Sequence, residues 1–234
     1  MNTDNMSVAG ETIDYGPCAF MDAYHPQTVY SSIDHMGRYA YVNQPGIAQW
    51  NLAVLAQCLL PLLADEDEAA IAIAQGAINA FPDLFKNAYL DGMRAKLGLE
   101  KAQDGDEKLA QDLLDRMTTG NCDFTLLFRR LGGVSLGDAV TRQPVRDLFS
   151  KPDLVDDWLD NWCERVTAEE RDETDRQTAM RTANPAYIPR NHLVEEAIRA
   201  AADEDDFAPF ERLVEVLSSP FGEKPEYERY TLPP

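Results

Sequence analysis

The sequence predicts a mainly α-helical body entered through a short mixed β and loop segment. Three observations predict it. Apolar residues recur at helical spacing over most of the chain beyond residue 47. Residues 1–47 instead carry short alternating runs, glycines, prolines and the polar clusters that look like chemistry. From Ser218 onward the chain holds Pro220, Pro225, Pro233 and Pro234 and shows no period. Three regions follow: 1–47, a helical body at 48–217, and a Pro-rich tail at 218–234, expected to be extended, packed over the surface or disordered.

Val8 and Ile13 lie in short segments flanking Ala9–Gly10–Glu11, which reads as a tight hairpin. Arg38–Val42, with Tyr39 and Tyr41 alternating with smaller residues, reads as a short strand. Ile47–Leu60 is apolar on nearly every face, the pattern of a buried helix rather than a surface one. Pro61 is expected to kink or end it. Ala69–Ala80 forms a second expected helix, closed by Phe81–Pro82, and Leu84, Phe85, Ala88, Tyr89 and Met93 mark the next. Gly98 suits its C-cap, and Ala102–Gly105 reads as a loop. Leu109, Leu113, Leu114 and Met117 give another helix, ended by the Thr118–Asn121 turn. Leu154, Val155, Trp158, Leu159, Trp162 and Val166 form an amphipathic stripe, after which Thr167-x-x-Glu170 has the form of a capping box. Phe207, Phe210, Leu213, Val214 and Leu217 make the last stripe. Each stripe is read as core.

Lys and Arg number 21 against 41 Asp and Glu, a net charge of −20. Such a chain repels nucleic-acid phosphates and anionic lipid surfaces, so neither is an expected partner. No run approaches the roughly 20 apolar residues of a membrane span, since Gln57 and Pro61 interrupt Leu52–Leu63. The N-terminus has neither the basic nor the apolar part of a secretory signal. Cys18, Cys58, Cys122 and Cys163 lie 40, 64 and 41 residues apart, which fits no zinc or disulfide framework. Reduced thiols and a cytoplasmic location are expected.

The chemistry-bearing cluster is Asn2-Thr3-Asp4-Asn5 followed by Ile13-Asp14-Tyr15-Gly16. A hairpin turning at Ala9–Gly10 brings Asn5 opposite Asp14, with Cβ atoms about 4.5–5.5 Å apart. An amide oxygen and a carboxylate there could share a hard cation such as Mg²⁺, which takes its other ligands from water and substrate phosphates. A slip of one residue would put the two on opposite faces. Asx residues beside turns also bond their own backbone, and the pattern admits that reading too. Asp4 adds a carboxylate able to accept a proton from a hydroxyl nucleophile.

Ser31, Ser32, Asp34 and His35 lack the nucleophile elbow of a hydrolase. His25 and His35 with Asp22 lack zinc-ligand spacing. His192, beside Asn191, reads as a helix-start or surface residue. The run Asp203–Asp206 reads as a solvated boundary that favours the next helix's N-terminus.

The order and spacing of MNTDNMS, TIDYGP, DAY and GRYAYVNQP-x-IAQWNL, with NPAYIPRNHLVEEAI further on, are similar to the selenoprotein O family from Met1 to about Ile198. The resemblance implies the C-terminal lobe of a protein-kinase-like fold, mainly α with a short β-hairpin at its N-terminal end. It also implies ATP-dependent transfer of AMP to Ser, Thr or Tyr hydroxyls of protein substrates, using Mg²⁺ or Mn²⁺. On that pattern Asp4 matches the proton acceptor, and Asn5 and Asp14 match the metal ligands. Asp14 stands on the nucleotide side where a kinase has the Asp of its DFG, followed by Tyr15 and Gly16. The adjacent Asp4–Asn5 pair departs from the kinase HRDxxxxN spacing.

A kinase-like site also needs a glycine-rich loop, a strand Lys and its Glu partner. In the family these belong to the N-terminal half, outside this sequence. None of the six lysines follows a strand in the required way. The chain alone is therefore expected to be inactive, either as part of an adenylyltransferase or as a stand-alone helical protein, a truncated product acting in binding or without function. Thr28–Ser32 corresponds to the activation segment, and the family's C-terminal Cys motif is absent. Cys18 is expected to be a small core residue. Residues 1–47, which would line an interlobe cleft, are expected to be exposed or to pair with a second copy.

Overall fold

The computed structural model of the chain describes residues 1–12 and 18–234. It divides into two compact units: Met1–Cys18 with Pro26–Leu90, and Ala19–His25 with Asp91–Pro234.

In the first unit a 3-10 turn spans Thr3–Asn5, and a second, Tyr41–Asn43, leads into α1 (Gln44–Leu63). Pro45 sits in the first turn of α1, where its missing N–H costs nothing. The expected β-hairpin is not seen: no strand occurs among the described residues, which hold only one of its two arms. The Asn5 N–H bonds the carbonyl of Asn2 at 3.0 Å, closing a local turn instead of a cross-strand ladder. The opposite arm, with Ile13 and Asp14, lies outside the described residues. Arg38–Val42 is not a strand either. The Asp34 carboxylate accepts from the N–H groups of Arg38 and Tyr39, both at 2.8 Å. Gly37 adopts φ +64, so the chain turns directly into the 3-10 entry of α1.

α2 runs unbroken from Asp67 to Leu97, starting in the first unit and ending in the second, so Phe81–Pro82 does not close a helix there. Pro82 cannot donate to the carbonyl four residues back, at Ile78. The side-chain amide of Gln49 donates to that carbonyl instead, at 3.2 Å, which removes the main penalty of the proline. α1 likewise continues past Pro61 to Leu63. The segment Tyr41–Leu63, which contains an 18-residue window of mean hydropathy 1.4, is long and apolar enough to cross a membrane by length and composition, contrary to the sequence expectation. The interruptions at Gln57 and Pro61 do not break the helix, so its apolar length is counted over the whole segment.

The second unit packs α3 (Asp106–Gly120), α4 (Phe124–Leu131), α5 (Gln143–Arg146), α6 (Asp156–Thr167), α7 (Glu173–Ala183), α8 (Asn191–Glu204) and α9 (Ala208–Leu217). The apolar stripes read from the sequence are buried here in part: Phe207, Phe210 and Val214 of the last stripe are exposed and Leu213 is its buried member, whereas the stripes of α3 and α6 form the core. Leu113, Met117, Leu127, Leu131, Val155, Trp158, Leu159 and Trp162 are all fully buried. Each such side chain contributes roughly 1.5–3 kcal/mol by leaving water. Trp158 and Trp162 stack at 6.2 Å, and each spends its indole N–H on a helix carbonyl: Leu109 at 2.9 Å and Leu97 at 3.0 Å. Gly98 caps α2 at φ +74, where a Cβ would stand 2.7 Å from the Met180 sulfur.

One further expectation is corrected. Thr167 is the last residue of α6, its hydroxyl bonded back to the Cys163 carbonyl at 2.7 Å. The cap of α7 is Asp172, which accepts from the N–H groups of Thr174 and Asp175, and Glu170 turns the chain between them at φ +55. Of the three alternatives for the tail, packing over the surface is the one seen: Pro225–Thr231 forms a 3-10 helix that buries Tyr227 against Ala186, Tyr187 and Val216.

Candidate functional site

Asp4 and Asn5 sit side by side on the Thr3–Asn5 turn, and both are exposed. The turn is backed by α1. Asn51 is the buried residue of that helix, 5% exposed, and its side-chain amide donates to the Met1 carbonyl at 3.2 Å and reaches the Met6 sulfur. Its Oδ1 is buried and has no hydrogen-bond partner among the described residues. A buried polar side chain on an uncharged helix thus ties the base of the turn, which leaves Asp4 and Asn5 directed to solvent. Sequence reading missed Asn51. The signal was available, as an Asn in the middle of a helix predicted to be buried needs a partner.

The sequence placed Asn5 beside Asp14. Asp14 lies outside the described residues, so the pair and its register are not described. Among the described residues no cluster of three His, Cys, Asp or Glu side chains is arranged to hold a metal. The donors on the Thr3–Asn5 turn, one carboxylate and one amide oxygen, are nevertheless the hard oxygen type that Mg²⁺ and Mn²⁺ take.

The segment after Pro26 is organised by backbone bonds to the entry of α1. Tyr41 N–H donates to Thr28 at 3.0 Å and Val42 N–H to Pro26 at 2.9 Å. Ser31 and Ser32 are exposed, and Asp34 serves as the cap described above, not as a member of a triad. The Arg38 guanidinium lies over the rings of Trp50 at 5.1 Å and Tyr39 at 5.7 Å. Burial raises the pKa of Tyr30 and Tyr41 above the ordinary phenol value, with the Tyr41 charge adding to Tyr30 and a hydrogen bond to Tyr89 partly offsetting the effect on Tyr41. Cys18 is exposed, not a core residue.

Within the second unit the Asp22 of DAY and the Arg190 of NPAYIPRNHLVEEAI meet. Arg190, 1% exposed, donates to Asp22, to Asp123 at 2.8 Å and to the Thr231 carbonyl at 2.7 Å. Asp123 also caps α4 by accepting from Leu126 N–H at 2.8 Å. Asp22 is therefore an ion-pair partner rather than a zinc ligand. Asn191 pairs its side chain with both backbone groups of Phe20. These motifs act as structural ties. A cavity of about 420 Å³ opens beside Arg129, Tyr187 and Lys224. Its Arg129 is already committed to Glu223 and to three carbonyls, of Arg181, Asn184 and Phe221, which leaves little to hold a ligand.

Residues 1–218 match the family model described as protein adenylyltransferase SelO. Among curated proteins, the chain is 57% identical over 234 residues to protein nucleotidyltransferase YdiU of Rhodopseudomonas palustris strain HaA2, covering all of this chain and 47% of that protein. It is 54% identical over 234 residues to the protein of the same name from Bradyrhizobium diazoefficiens, again all of this chain and 47% of the relative. For a Methylorubrum extorquens protein of that name the figures are 52% over 239 residues, 100% and 48%. The chain spans about half the length of the curated relatives it matches.

Proposed function

Because the chain belongs to the SelO family of protein adenylyltransferases, we propose that it supplies the base and metal corner of an adenylyl transfer from ATP to Ser, Thr or Tyr hydroxyls of proteins. The observation that supports this most is the family match over residues 1–218 together with the exposed Asp4–Asn5 turn that Asn51 ties to α1. Asp4 takes the proton of the acceptor hydroxyl. The hydroxyl oxygen forms its bond to the α-phosphorus of ATP as the bond from that phosphorus to pyrophosphate breaks. Proton removal by a placed carboxylate contributes roughly 10²–10⁴ in rate.

Asn5 and Asp14 are the residues that would hold Mg²⁺ or Mn²⁺. Bound there, the cation neutralises charge on the phosphates. The exposure of Asp4 and Asn5 leaves their oxygens open to a nucleotide and its metal. The glycine-rich cradle and phosphate-binding Lys are assigned to the part of the relatives that this chain does not match. The chain by itself is then inactive.

The test joins this chain to the part of the Rhodopseudomonas palustris HaA2 relative that it does not match. The joined protein is incubated with ATP, Mg²⁺ or Mn²⁺ and an acceptor protein, and peptides are examined by mass spectrometry. Adenylylated hydroxyls from the joined protein and none from the chain alone are expected. In calorimetry with MnATP, Asn5→Ala and Asp14→Ala should each weaken binding by about tenfold or more. A joined protein that folds and binds nucleotide but transfers no AMP would overturn the reading.

A further inference from the structure

In the first unit, α1 contains no Asp, Glu, Lys or Arg, and neither does α2 between Glu68 and Asp83. Charged residues make up 26% of the chain, so both stretches are kept uncharged against a strongly acidic background. An apolar helix of this kind belongs in an interior. Here it is open: Leu62 is 81% exposed, Leu84 66%, Ile71 54% and Trp50 48%. Between the two helices lies a groove of about 280 Å³ whose walls include Leu52, Leu55 and Leu59 on one side and Ile78, Phe81 and Leu84 on the other. No charged side chain lines it. An exposed apolar surface of this continuity marks an interaction site.

The relatives indicate what covers it. Each devotes more than half of its length to sequence that this chain does not match, since only 47–48% is covered. We infer that the uncharged face of α1 and of α2 up to Phe85 is the seat of that remaining part of the family's polypeptide, which docks on it through an apolar surface of its own. The inference rests on the reading of this chain as one portion of the enzyme. A bilayer is the less favoured occupant despite the length of Tyr41–Leu63. That segment carries Gln44, Gln49, Asn51 and Gln57, and its C-terminal flank is Asp65-Glu66-Asp67-Glu68, without the Lys or Arg that anchors a span. Gln49 is moreover committed to the Ile78 carbonyl of the neighbouring helix.

The chain is co-expressed with the unmatched part of the Rhodopseudomonas palustris HaA2 relative, and the product is examined by size-exclusion chromatography with light scattering. A one-to-one complex is expected. Leu59→Glu with Leu84→Glu, both at exposed positions, should weaken it by about 30-fold or more. Ile198→Glu, equally exposed on α8, should leave it unchanged. Circular dichroism of each variant confirms that the helices persist. Absence of a complex, a complex insensitive to the two charges, a homodimer that the same charges disrupt, or sedimentation of the chain with phosphatidylcholine vesicles would each overturn the inference. A charge-sensitive complex that transfers no AMP leaves the docking face standing and removes the catalytic reading. Transfer by a complex that ignores the charges does the reverse.

Discussion

The side-chain amide of Asn51, in the middle of α1, donates to the carbonyl of Met1 at 3.2 Å, while its own oxygen lies buried without a partner among the described residues. This is the tie between the apolar helix and the turn that carries Asp4 and Asn5. It also explains why Asn51 is the one of the helix's four amide side chains that is buried.

Asn51→Ala leaves the Met1 carbonyl without its donor and should lower the unfolding free energy by about 1–2 kcal/mol, the cost of a lost buried hydrogen bond. Asn51→Asp should cost more, because a carboxylate has no proton to give that carbonyl at neutral pH. Urea denaturation of the three proteins orders them. Equal midpoints would show that the tie contributes nothing.

Acid should weaken the second unit through Asp106 and Glu169. Burial alone raises the Asp106 pKa, but hydrogen bonds from Arg165 at 2.7 Å, the Gln103 N–H at 2.9 Å and Arg94 at 2.9 Å outweigh it and hold the carboxyl below the ordinary 3.8. Glu169 is likewise raised by burial but held below 4.5 by Arg165 and by the N–H groups of Lys101 and Glu100. A depressed folded-state pKa means stability that is fully present above about 4.5 and lost as pH falls through the folded values. The urea midpoint should therefore drop below about pH 4.5. Asp106→Asn should be less stable by about 1–3 kcal/mol at pH 7, because Arg94 and Arg165 each lose one carboxylate partner and keep only Asp91 and Glu169, and should show a shallower acid slope. An unchanged slope would assign the acid sensitivity elsewhere.

The thiols should separate by burial. Cys18 and Cys58 are exposed, whereas Cys122 is fully buried and burial pushes its pKa far up, with Asp123 adding to the shift. Cys163 is raised less, with Arg142 working against its burial. Iodoacetamide followed by peptide mapping should label Cys18 and Cys58 first in the native chain, and Cys122 only after denaturation. Early labelling of Cys122 would contradict its full burial in the link between α3 and α4.

The body of the fold was legible because its stripes are long and periodic: Trp158, Leu159 and Trp162, or Leu113, Leu114 and Met117, are buried where the 3.6-residue period puts them. The failures came where one distant side chain decides a local question. Pro82 reads as a helix end until Gln49, on the preceding helix, satisfies the Ile78 carbonyl. Thr167-x-x-Glu170 matches a capping box by spacing, yet Asp172 wins because Thr167 is still inside α6. The tail's prolines conceal a 3-10 turn held by Tyr227, a tertiary effect with no period to reveal it. In the site, the adjacency of Asp4 and Asn5 on one exposed turn was legible, whereas their support by Asn51 depends on how the chain returns over α1.

The central claim, that Asp4 receives the proton of the acceptor hydroxyl, is tested most directly by the kinetics of Asp4→Asn in the joined protein. The amide keeps the size of the carboxylate but cannot accept the proton. A fall in kcat of roughly 10²-fold or more, with MnATP affinity within about twofold of the parent, is the predicted result. An unchanged kcat would remove Asp4 from the chemistry and contradict the account.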